Sequence, residues 1–509
     1  MYSIVKTATI FGIDSKIISV EADISEGMPM FDMVGYLSSE VKEARERVRA
    51  ALKNEGYALP IKRITVNLSP ASIRKTGAGF DLPIAVAILS AIGIINCDRL
   101  ENVCICGEIA LDGKIQPVNG VLSMVIEAKK NNIEVVIVPE DNLMEARLVP
   151  DIVTIGVSQL KDVIDLLNQG HFDMKELNVE IQGKVKEEAY DFSMINGQQA
   201  LRRACEVAIS GMHNLLMVGP PGAGKSMISK CIPSILPPMD SKEQMELSKI
   251  YSVSGMFDER MGLITKRPFR SPHHTISAQG LVGGGHIPKP GEISLAHGGV
   301  LFLDELTEFS KATLEILRQP LEDKKVNIAR AQGSFTFPAD FVLVAAMNPC
   351  SCGYYPDLNR CHCTRMSIQR YLNKVSQPLL DRIDICAEAP TLNFEMINKK
   401  QDNESSADIR SRVIRAHEIQ RKRYADYGFR FNSQIPSNLM ETFCALEDEE
   451  LDYMEEMYEK YSLTARTYHK VLKVARTIAD MGGSEDIGLV HLQEAILYRG
   501  LDKKYWEEC

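Results

Sequence analysis

One segment limits the possible folds of this 509-residue chain more than any other. Four apolar residues, Leu215–Val218, lead directly into a glycine-rich run that consists of Gly219, Pro220, Pro221, Gly222, Ala223, Gly224, Lys225 and Ser226. This order predicts a strand, a phosphate-binding loop and the start of a helix, because the glycines let backbone N–H groups point at phosphate oxygens. Lys225 would then reach the β- and γ-phosphates, and the Ser226 hydroxyl would bind Mg²⁺. The segment therefore predicts an α/β nucleotide-binding domain.

Two further apolar runs end in polar residues that nucleotide hydrolysis requires. The run 299–303 ends in Asp304 and Glu305, 78 residues after the serine of the loop, and the run 341–347 ends in Asn348. The carboxyl ends of parallel strands meet at one edge of a sheet, beside the phosphate loop. We expect Asp304 to hold Mg²⁺, Glu305 to polarise the attacking water, and Asn348 to bridge that water and the γ-phosphate. The three runs together predict an ATPase of the additional-strand class that uses ATP and Mg²⁺.

Arg382, in the segment 379–384, is the candidate for one more positive charge on the γ-phosphate. An arginine supplied by a neighbouring subunit accelerates such reactions by about 10³–10⁵. A monomer would then be nearly inactive. The alternative is an ion pair within the chain, with Asp381 or Asp384, and the sequence leaves both interpretations open.

The composition limits the classes of protein to which the chain can belong. Its 68 acidic and 58 basic residues give a net charge of -10, which excludes a surface covered with nucleic-acid contacts but permits a local basic channel. The longest apolar stretch, 82–95, has 14 residues and contains Pro83, whereas a membrane-spanning helix needs about 20. No secretory signal is visible at the start. We therefore expect a cytoplasmic protein without a membrane partner.

Composition and periodicity divide the chain into four parts. Residues 1–168 alternate β-branched runs with amphipathic stretches, which predicts a mixed α/β domain, and the polar segment 169–190 predicts a linker. Residues 191–390 hold the nucleotide motifs and predict the ATPase core. Residues 391–509 are mostly helical in period after a hydrophilic start, and they predict a C-terminal helical lid domain.

Longer blocks around these motifs resemble the YifB/ComM family of magnesium-chelatase-like AAA+ ATPases, and the resemblance covers nearly the whole chain. The matching blocks are 43–49, 79–83, 195–198, 213–216, 267–274, 283–285, 290–297, 318–323 and 348–353. The resemblance implies a P-loop AAA+ ATPase core, a Lon-protease-like N-terminal α/β domain and a C-terminal helical lid. Lon-type chemistry needs a serine nucleophile and a lysine that deprotonates it, but Gly79 and Leu122 stand in those places. We therefore expect no peptidase activity.

The family also implies a homohexameric ring with ATP bound between subunits. It places Ile195 and Gln198 near the adenine, and it identifies Arg466 as a sensor arginine that reaches the γ-phosphate of its own subunit. Members of the ComM type are implied to drive branch migration of DNA, single-stranded or branched, during uptake and recombination in natural transformation. The alternatives are a motor that inserts Mg²⁺ into a porphyrin and an ATPase that remodels proteins.

Two basic segments are candidates for contact with DNA. Residues 326–337 alternate around a glycine-containing turn, which predicts a β-hairpin with Arg330 near its tip. In this ATPase clade such a hairpin projects into the ring pore. A second stretch contains Lys266, Arg267 and Arg270. These cations would bind DNA phosphates, and the alternative is that they pair with acids at subunit interfaces.

Two Cys-x-Cys pairs stand eight residues apart and contain four of the 12 cysteines, which are Cys350, Cys352, Cys361 and Cys363. Four thiolates suit a tetrahedral zinc ion, although the usual spacing within a pair is wider. His362 could compete as a ligand, and buried reduced thiols or a redox-labile pair are alternatives. A zinc ion here would be structural, because four sulfur ligands leave no open position.

Overall fold

The computed structural model describes residues 1–169, 189–258, 262–285, 288–330, 333–391, 403–500 and 505–506. The predicted linker, 169–190, lies outside the described residues except at its two ends. The strands are β1 (Tyr2–Phe11), β2 (Asp14–Ser25), β3 (Met30–Val34), β4 (Arg63–Ser69), β5 (Val103–Ile105), β6 (Glu108–Ile109), β7 (Ile115–Gln116), β8 (Val135–Pro139), β9 (Val153–Val157), β10 (Leu215–Val218), β11 (Phe269–Arg270), β12 (Gly283–Gly284), β13 (Lys289–Pro290), β14 (Val300–Leu303), β15 (Lys325–Arg330), β16 (Gly333–Pro338), β17 (Val342–Met347) and β18 (Ile385–Glu388).

The helices of the described residues are α1 (Ser39–Asn54), α2 (Asp81–Ala91), α3 (Val121–Lys130), α4 (Leu143–Ala146), α5 (Leu160–Gln169), α6 (Gln199–Gly211), α7 (Lys225–Ile235), α8 (Ser241–Ser254), α9 (Ala278–Val282), α10 (Glu292–Leu295), α11 (Lys311–Ile316), α12 (Arg318–Asp323), α13 (Arg365–Leu372), α14 (Gln377–Leu380), α15 (Ser406–Arg423), α16 (Met440–Phe443), α17 (Asp448–Lys460), α18 (Ala465–Gly482) and α19 (Leu489–Leu497). Among these described helices, none combines the length and the apolar character that a bilayer crossing requires.

The N-terminal part folds around a seven-stranded mixed sheet with the order β3-β4-β2-β1-β5-β8-β9. A long antiparallel hairpin of β1 and β2 forms its centre, and β5, β8 and β9 continue parallel to β1. Helices α1, α2 and α5 pack on one face, and α3 packs on the other. The apolar stretch that begins at Leu82 forms most of α2, whose 11 residues are all buried. A helix that is apolar on every side is typical of a core position.

The second sheet has five parallel strands in the order β11-β14-β17-β10-β18. Strand β17 therefore lies between β10, which precedes the phosphate loop, and β14, which precedes the two acids. All residues of these three strands are buried, which explains why their sequences are continuously apolar rather than alternating. This sheet, with its inserted strand, confirms the α/β fold class that the motifs predict.

The C-terminal part is helical, as its periodicity predicts. Helix α15 packs against α6 and α7 of the ATPase part, and α18 packs against α15, α6 and α19. The apolar residues Ile409, Val413 and Ala416 of α15 are buried, because their spacing places them on one side of the helix. This packing fixes the helical part on the back of the nucleotide-binding sheet.

Within the described residues, the N-terminal part contacts the ATPase part through the turn between β1 and β2 and through the start of α3. The turn between β1 and β2 reaches the hairpin β15–β16, where the ring centroids of Phe11 and Phe335 lie 4.9 Å apart. The start of α3 meets the end of α8, where the N–H of Gly120 donates to the carbonyl of Ser252 at 3.1 Å. The two parts therefore pack against each other through specific contacts.

Candidate ATP hydrolysis site

The phosphate loop joins the end of β10 to the start of α7. Gly222 and Gly224 have φ angles of +79° and +84°, a left-handed conformation that glycine adopts without steric cost. Helix α7 begins at Lys225, so its N-terminal N–H groups and the positive end of its dipole face the space above the loop. The loop therefore has the backbone geometry that an anion requires.

Lys225 turns its side chain back into this loop. The ammonium donates to the carbonyl oxygens of Gly219 at 2.7 Å and Pro220 at 2.9 Å, and to Oδ1 of Asn348 at 3.1 Å. Lys225 is 8% exposed, and burial lowers its pKa to about 8 despite the nearby carboxylate of Asp304. The three acceptors occupy all three ammonium protons, so Lys225 must exchange them for phosphate oxygens when a nucleotide binds.

The two predicted Mg²⁺ ligands are in direct contact. The Ser226 hydroxyl donates to Oδ2 of Asp304 at 2.6 Å, although 78 residues separate them in the chain. The other carboxylate oxygen accepts from the backbone N–H of Glu305 at 3.0 Å, which orients the Asp304 side chain. Hydroxyl and carboxylate oxygens are the hard ligands that Mg²⁺ prefers. These two residues therefore fit an ion held between the phosphate loop and the acidic strand end.

Glu305 points into a cavity of about 460 Å³ that Asn348, Ser351 and Tyr371 also line. It has a φ of +52°, which is uncommon outside glycine and concentrates at functional sites. Its side chain is 61% exposed, and Nδ1 of His274 lies 3.6 Å from its carboxylate. A water in this cavity would meet both the carboxylate and the amide. The sequence identified Glu305 and Asn348, but it did not predict His274 or Tyr371 as their neighbours.

Gln198 lies on the back of the phosphate loop. Its Nε2 donates to the carbonyls of Ala223 at 3.0 Å and Pro390 at 2.7 Å. Its Oε1 is buried and has no hydrogen-bond partner among the described residues. Ile195 is buried nearby in the core of the ATPase part. Both positions are compatible with the adenine site that the resemblance implies.

Arg382 lies at the amino-terminal ends of the parallel strands, whereas the phosphate loop lies at their carboxyl-terminal ends. It precedes β18, whereas the loop follows β10, and these neighbouring strands are parallel over four residues. Four residues of strand span about 13 Å, so Arg382 does not lie beside the loop of its own chain. Its guanidinium donates to the carbonyl of Arg318 at 2.9 Å and contacts the carboxylate of Glu322. Its acidic partner within the chain is therefore Glu322. The alternative interpretation considers Asp381 or Asp384.

Arg466 lies beside Arg382 and not beside the phosphate loop. Its guanidinium is 2.9 Å from Glu322, the carboxylate that Arg382 also contacts. One turn further along α18, the Lys470 ammonium donates to the carbonyl of Ile383, at 2.9 Å, just before β18. The start of α18 is thus held at the amino-terminal edge of the sheet. The structure therefore places Arg466 away from the phosphate loop of its own chain, which differs from the expected reach to that γ-phosphate, and the catalytic role of Arg466 stays a prediction.

The predicted DNA-contacting residues fall into two groups. Arg330 and Lys266 are exposed, and Arg330 ends the first strand of the hairpin that the sequence predicts. In contrast, the Arg267 side chain is 3% exposed and forms an ion pair with Glu243 at 2.9 Å, and Arg270 forms two hydrogen bonds to Glu292 at 2.6 and 2.7 Å. Arg267 and Arg270 therefore have acidic partners within the chain, which disfavours contact with DNA phosphates, and their contact with DNA stays a prediction.

Leu122, which stands where the Lon-type lysine would be, lies near the contact between the N-terminal part and the ATPase part. Leu122 is fully buried, and its N–H donates to Oε1 of Glu145 at 2.9 Å. Burial raises the pKa of Glu145, whose carboxylate also accepts from the hydroxyl of Ser252 in the ATPase part. Gly79 packs against Val118 in the same region. The expected absence of peptidase chemistry agrees with this buried, interface-bound arrangement and remains a prediction.

The four cysteines of the two Cys-x-Cys pairs converge near this site. Their sulfur atoms all lie within 4.8 Å of one another. Among the described residues, these four side chains are the group that lies close enough together to bind a metal ion. His362 is exposed and does not belong to the group. The donor set is thus four sulfurs, at Cys350, Cys352, Cys361 and Cys363.

Matches to known protein families cover most of the chain. Residues 191–397 match the family described as magnesium chelatase, subunit ChlI, residues 20–142 match subunit ChlI of Mg-chelatase, and residues 403–499 match the C-terminal region of that subunit. The N-terminal region also has a weaker similarity to Lon protease 2 of Bacillus subtilis, which is 30% identical over 178 residues, 30% of this chain and 32% of the protease.

Several relatives match this chain over nearly its full length. Competence protein ComM of Haemophilus influenzae is 41% identical, over 98% of this chain and 97% of its own length. The protein YifB of Escherichia coli is 40% identical, also over 98% of this chain and 97% of its own length. Identity at this level over whole chains, together with the matched phosphate loop and inserted-strand sheet, shows that this chain belongs to the ComM/YifB family of magnesium-chelatase-like AAA+ ATPases.

Proposed function

We propose that the chain is an ATP-hydrolysing motor that forms a hexameric ring and moves single-stranded or branched DNA, as in branch migration during DNA uptake and recombination. The single observation that carries this proposal is the split of the hydrolytic machinery across the ATPase sheet. The phosphate loop, Asp304, Glu305 and Asn348 stand at one edge, and Arg382 and Arg466 stand at the other.

This split favours catalysis between subunits. A γ-phosphate bound to the loop needs positive charge beyond Lys225 and Mg²⁺, and Arg382 and Arg466 are the cations that share one carboxylate, Glu322. They border a cavity of about 640 Å³ that Lys470 and other charged residues also line. A neighbouring subunit whose phosphate loop docked at this cavity would replace Glu322 as the partner of both arginines. A closed ring satisfies every such interface.

Two observations support DNA as the substrate. One full-length relative is named a competence protein, and the β15–β16 hairpin carries the exposed cations Lys325 and Arg330. The N-terminal part packs against the middle of this hairpin, through the contact of Phe11 with Phe335, which pairs with Ile328. A hairpin that is held in place and presents cations suits contact with a phosphate backbone, which would be sensitive to salt and insensitive to sequence.

An ATPase assay with different DNA structures tests the proposal. Turnover by the purified full chain should rise with single-stranded, duplex or four-way-junction DNA, and the rise should disappear as salt increases. Arg330→Ala should lose the DNA-stimulated part and keep the basal rate, whereas Arg45→Ala, which alters an exposed arginine of the N-terminal part, should behave as the parent.

Two results would overturn the proposal. One is turnover that is the same with every DNA, in which case stimulation by a protein client or by chelatase partner subunits would replace it. The other is a chain that remains monomeric under saturating ATP in light-scattering measurements, because the arginines would then have no phosphate within reach.

A further inference from the structure

The cysteine cluster stands next to the hydrolysis cavity and takes no part in the chemistry described above. The sulfur of Cys350 lies 3.3 Å from that of Cys352 and 3.8 Å from that of Cys361, and the last two are 3.6 Å apart. Tetrahedral zinc with Zn–S bonds of about 2.3 Å holds its sulfurs about 3.8 Å apart. A disulfide would need about 2.05 Å. The separations therefore fit a metal and not a disulfide.

The polar contacts of the cluster are those of metal-bound thiolates. The backbone N–H of Tyr355 donates to the sulfur of Cys350 at 3.4 Å, and the Ser351 hydroxyl lies 3.3 Å from the sulfur of Cys363. Donors of this kind orient thiolate ligands and offset their charge. Four soft sulfur ligands without an open position are the donor set of a structural zinc site.

One end of the cysteine loop builds a wall of the hydrolysis site. Cys350 follows Asn348 by two residues, and Ser351, between the first two cysteines, lines the same cavity as Glu305. Gly353 packs directly on the phosphate loop, since a Cβ at this glycine would lie 2.5 Å from Cδ of Pro221. The loop that the metal would hold therefore touches both the phosphate loop and the predicted sensor asparagine.

The other end of the loop leads to the opposite wall. Cys363 precedes Thr364, which caps α13, and α13 carries Tyr371 into the cavity. The Thr307 hydroxyl donates to the Tyr371 hydroxyl at 2.6 Å, and Thr307 lies two residues after Glu305. Fixing residues 350–363 at both ends would therefore set the positions of Asn348 and of Tyr371 at once.

We propose that Cys350, Cys352, Cys361 and Cys363 bind one Zn²⁺ ion per chain, and that this ion controls ATP hydrolysis by positioning Asn348 and the α13 wall of the cavity. The second half of the proposal rests on the proposed ATPase function, whereas the first half does not. The ion acts on the rate of hydrolysis more than on nucleotide binding, because β10 and α7 set the phosphate-loop amides and the cysteine loop touches the phosphate loop only where Gly353 meets Pro221.

Metal content tests the first half. The full chain, purified under reducing conditions without added metal, should contain about one zinc ion per chain by mass spectrometry of the elements. The double substitution Cys352→Ser with Cys363→Ser should abolish it, and Cys97→Ser, at an exposed free cysteine of the N-terminal part, should leave it unchanged. Absence of zinc from freshly purified parent protein would overturn the assignment.

Turnover and nucleotide binding test the second half. The double variant should hydrolyse ATP about 10- to 100-fold more slowly while binding a fluorescent ATP analogue with the affinity of the parent. If that variant does not fold, zinc is instead released from the parent with p-hydroxymercuribenzoate while circular dichroism monitors the fold. Turnover should return after dithiothreitol with Zn²⁺ and not after dithiothreitol with a chelator.

Two outcomes separate this proposal from the ATPase proposal. Full turnover in a folded, zinc-free chain would overturn the control of hydrolysis and leave the ATPase function standing. A parent chain that contains zinc but hydrolyses no ATP under any condition would overturn the ATPase function, and with it the proposed control, while the metal site would stand.

Discussion

ATP binding should weaken as the pH rises through about 8, because Lys225 loses its proton there in the free chain. Lys225 is 8% exposed, and its ammonium donates to Gly219, Pro220 and Asn348, which are neutral acceptors. Burial lowers its pKa to about 8, and the nearby carboxylate of Asp304 opposes this shift only in part. The phosphates of bound ATP add negative charge at the ammonium, so the pKa of Lys225 rises when the nucleotide binds.

The sign and the size follow from proton linkage. When ATP is bound Lys225 holds its proton, whereas the free chain has lost most of it above about pH 8, so binding takes up a proton in that range. The affinity should therefore fall about tenfold for each pH unit above 8, or about 1.4 kcal/mol. The same group makes the free fold more stable as the pH rises through this window, since the unfolded lysine keeps its proton to higher pH. Loss of the Lys225 proton therefore cannot weaken ATP binding by unfolding the chain.

The assay is titration with a non-hydrolysable fluorescent ATP analogue between about pH 7 and about pH 9, where the expected loss of affinity is about tenfold. Calorimetry in two buffers of different ionisation enthalpy should show proton uptake near the upper limit. Lys225→Arg is the matched control, because a guanidinium stays charged throughout this range, and its affinity should be flat with pH. Equal affinities at both limits for the parent, or no proton uptake, would refute the reasoning.

Two further predictions concern the roles of single groups in hydrolysis. Glu305→Gln should retain ATP binding and hydrolyse ATP about 10²–10⁴-fold more slowly in a single turnover. Glu308→Gln, which alters another acid of the same cavity, should change the rate little. Near-normal turnover in Glu305→Gln would show that another residue activates the water. Arg382→Ala should bind ATP but lose about 10³–10⁵ in rate, and mixing it with Lys225→Ala, which still supplies Arg382, should restore part of the activity; a mixture as inactive as its components would contradict catalysis between subunits.

Local features of the chain were predictable because their physical causes are local. The phosphate loop is recognisable from its glycines and lysine, and the hairpin around Gly333 from alternation and a turn residue. The buried strands β10, β14 and β17 are recognisable from continuous apolar runs. The long hairpin of β1 and β2 has no comparably strong signal, and it went unpredicted although it forms the centre of its sheet.

Long-range pairing explains where the positions of predicted site residues differ from the expectation. A cluster of arginines predicts contact with a polyanion only while their partners are unknown, and Arg267 and Arg270 are neutralised by Glu243 and Glu292 of other elements. Likewise, the family motif identified Arg466 as a sensor residue, but the packing of α18 decides which edge of the sheet it reaches. His274 was visible as part of a basic stretch, and only the fold brings it to Glu305.

Taken alone, the sequence specifies the chemical groups and the end of each strand on which they stand. That information already places Asp304 and Asn348 at carboxyl-terminal strand ends, whereas the strand that follows Arg382 was not predicted. Burial and hydrogen bonding between distant segments decide which strands become neighbours. These contacts, and the entropy cost of closing the loops between the segments, have no signature in any short stretch of sequence. The tertiary structure alone gives the direct contact between the Ser226 hydroxyl and Asp304. It also joins Arg382 and Arg466 on one carboxylate, at the edge that a second subunit would have to meet.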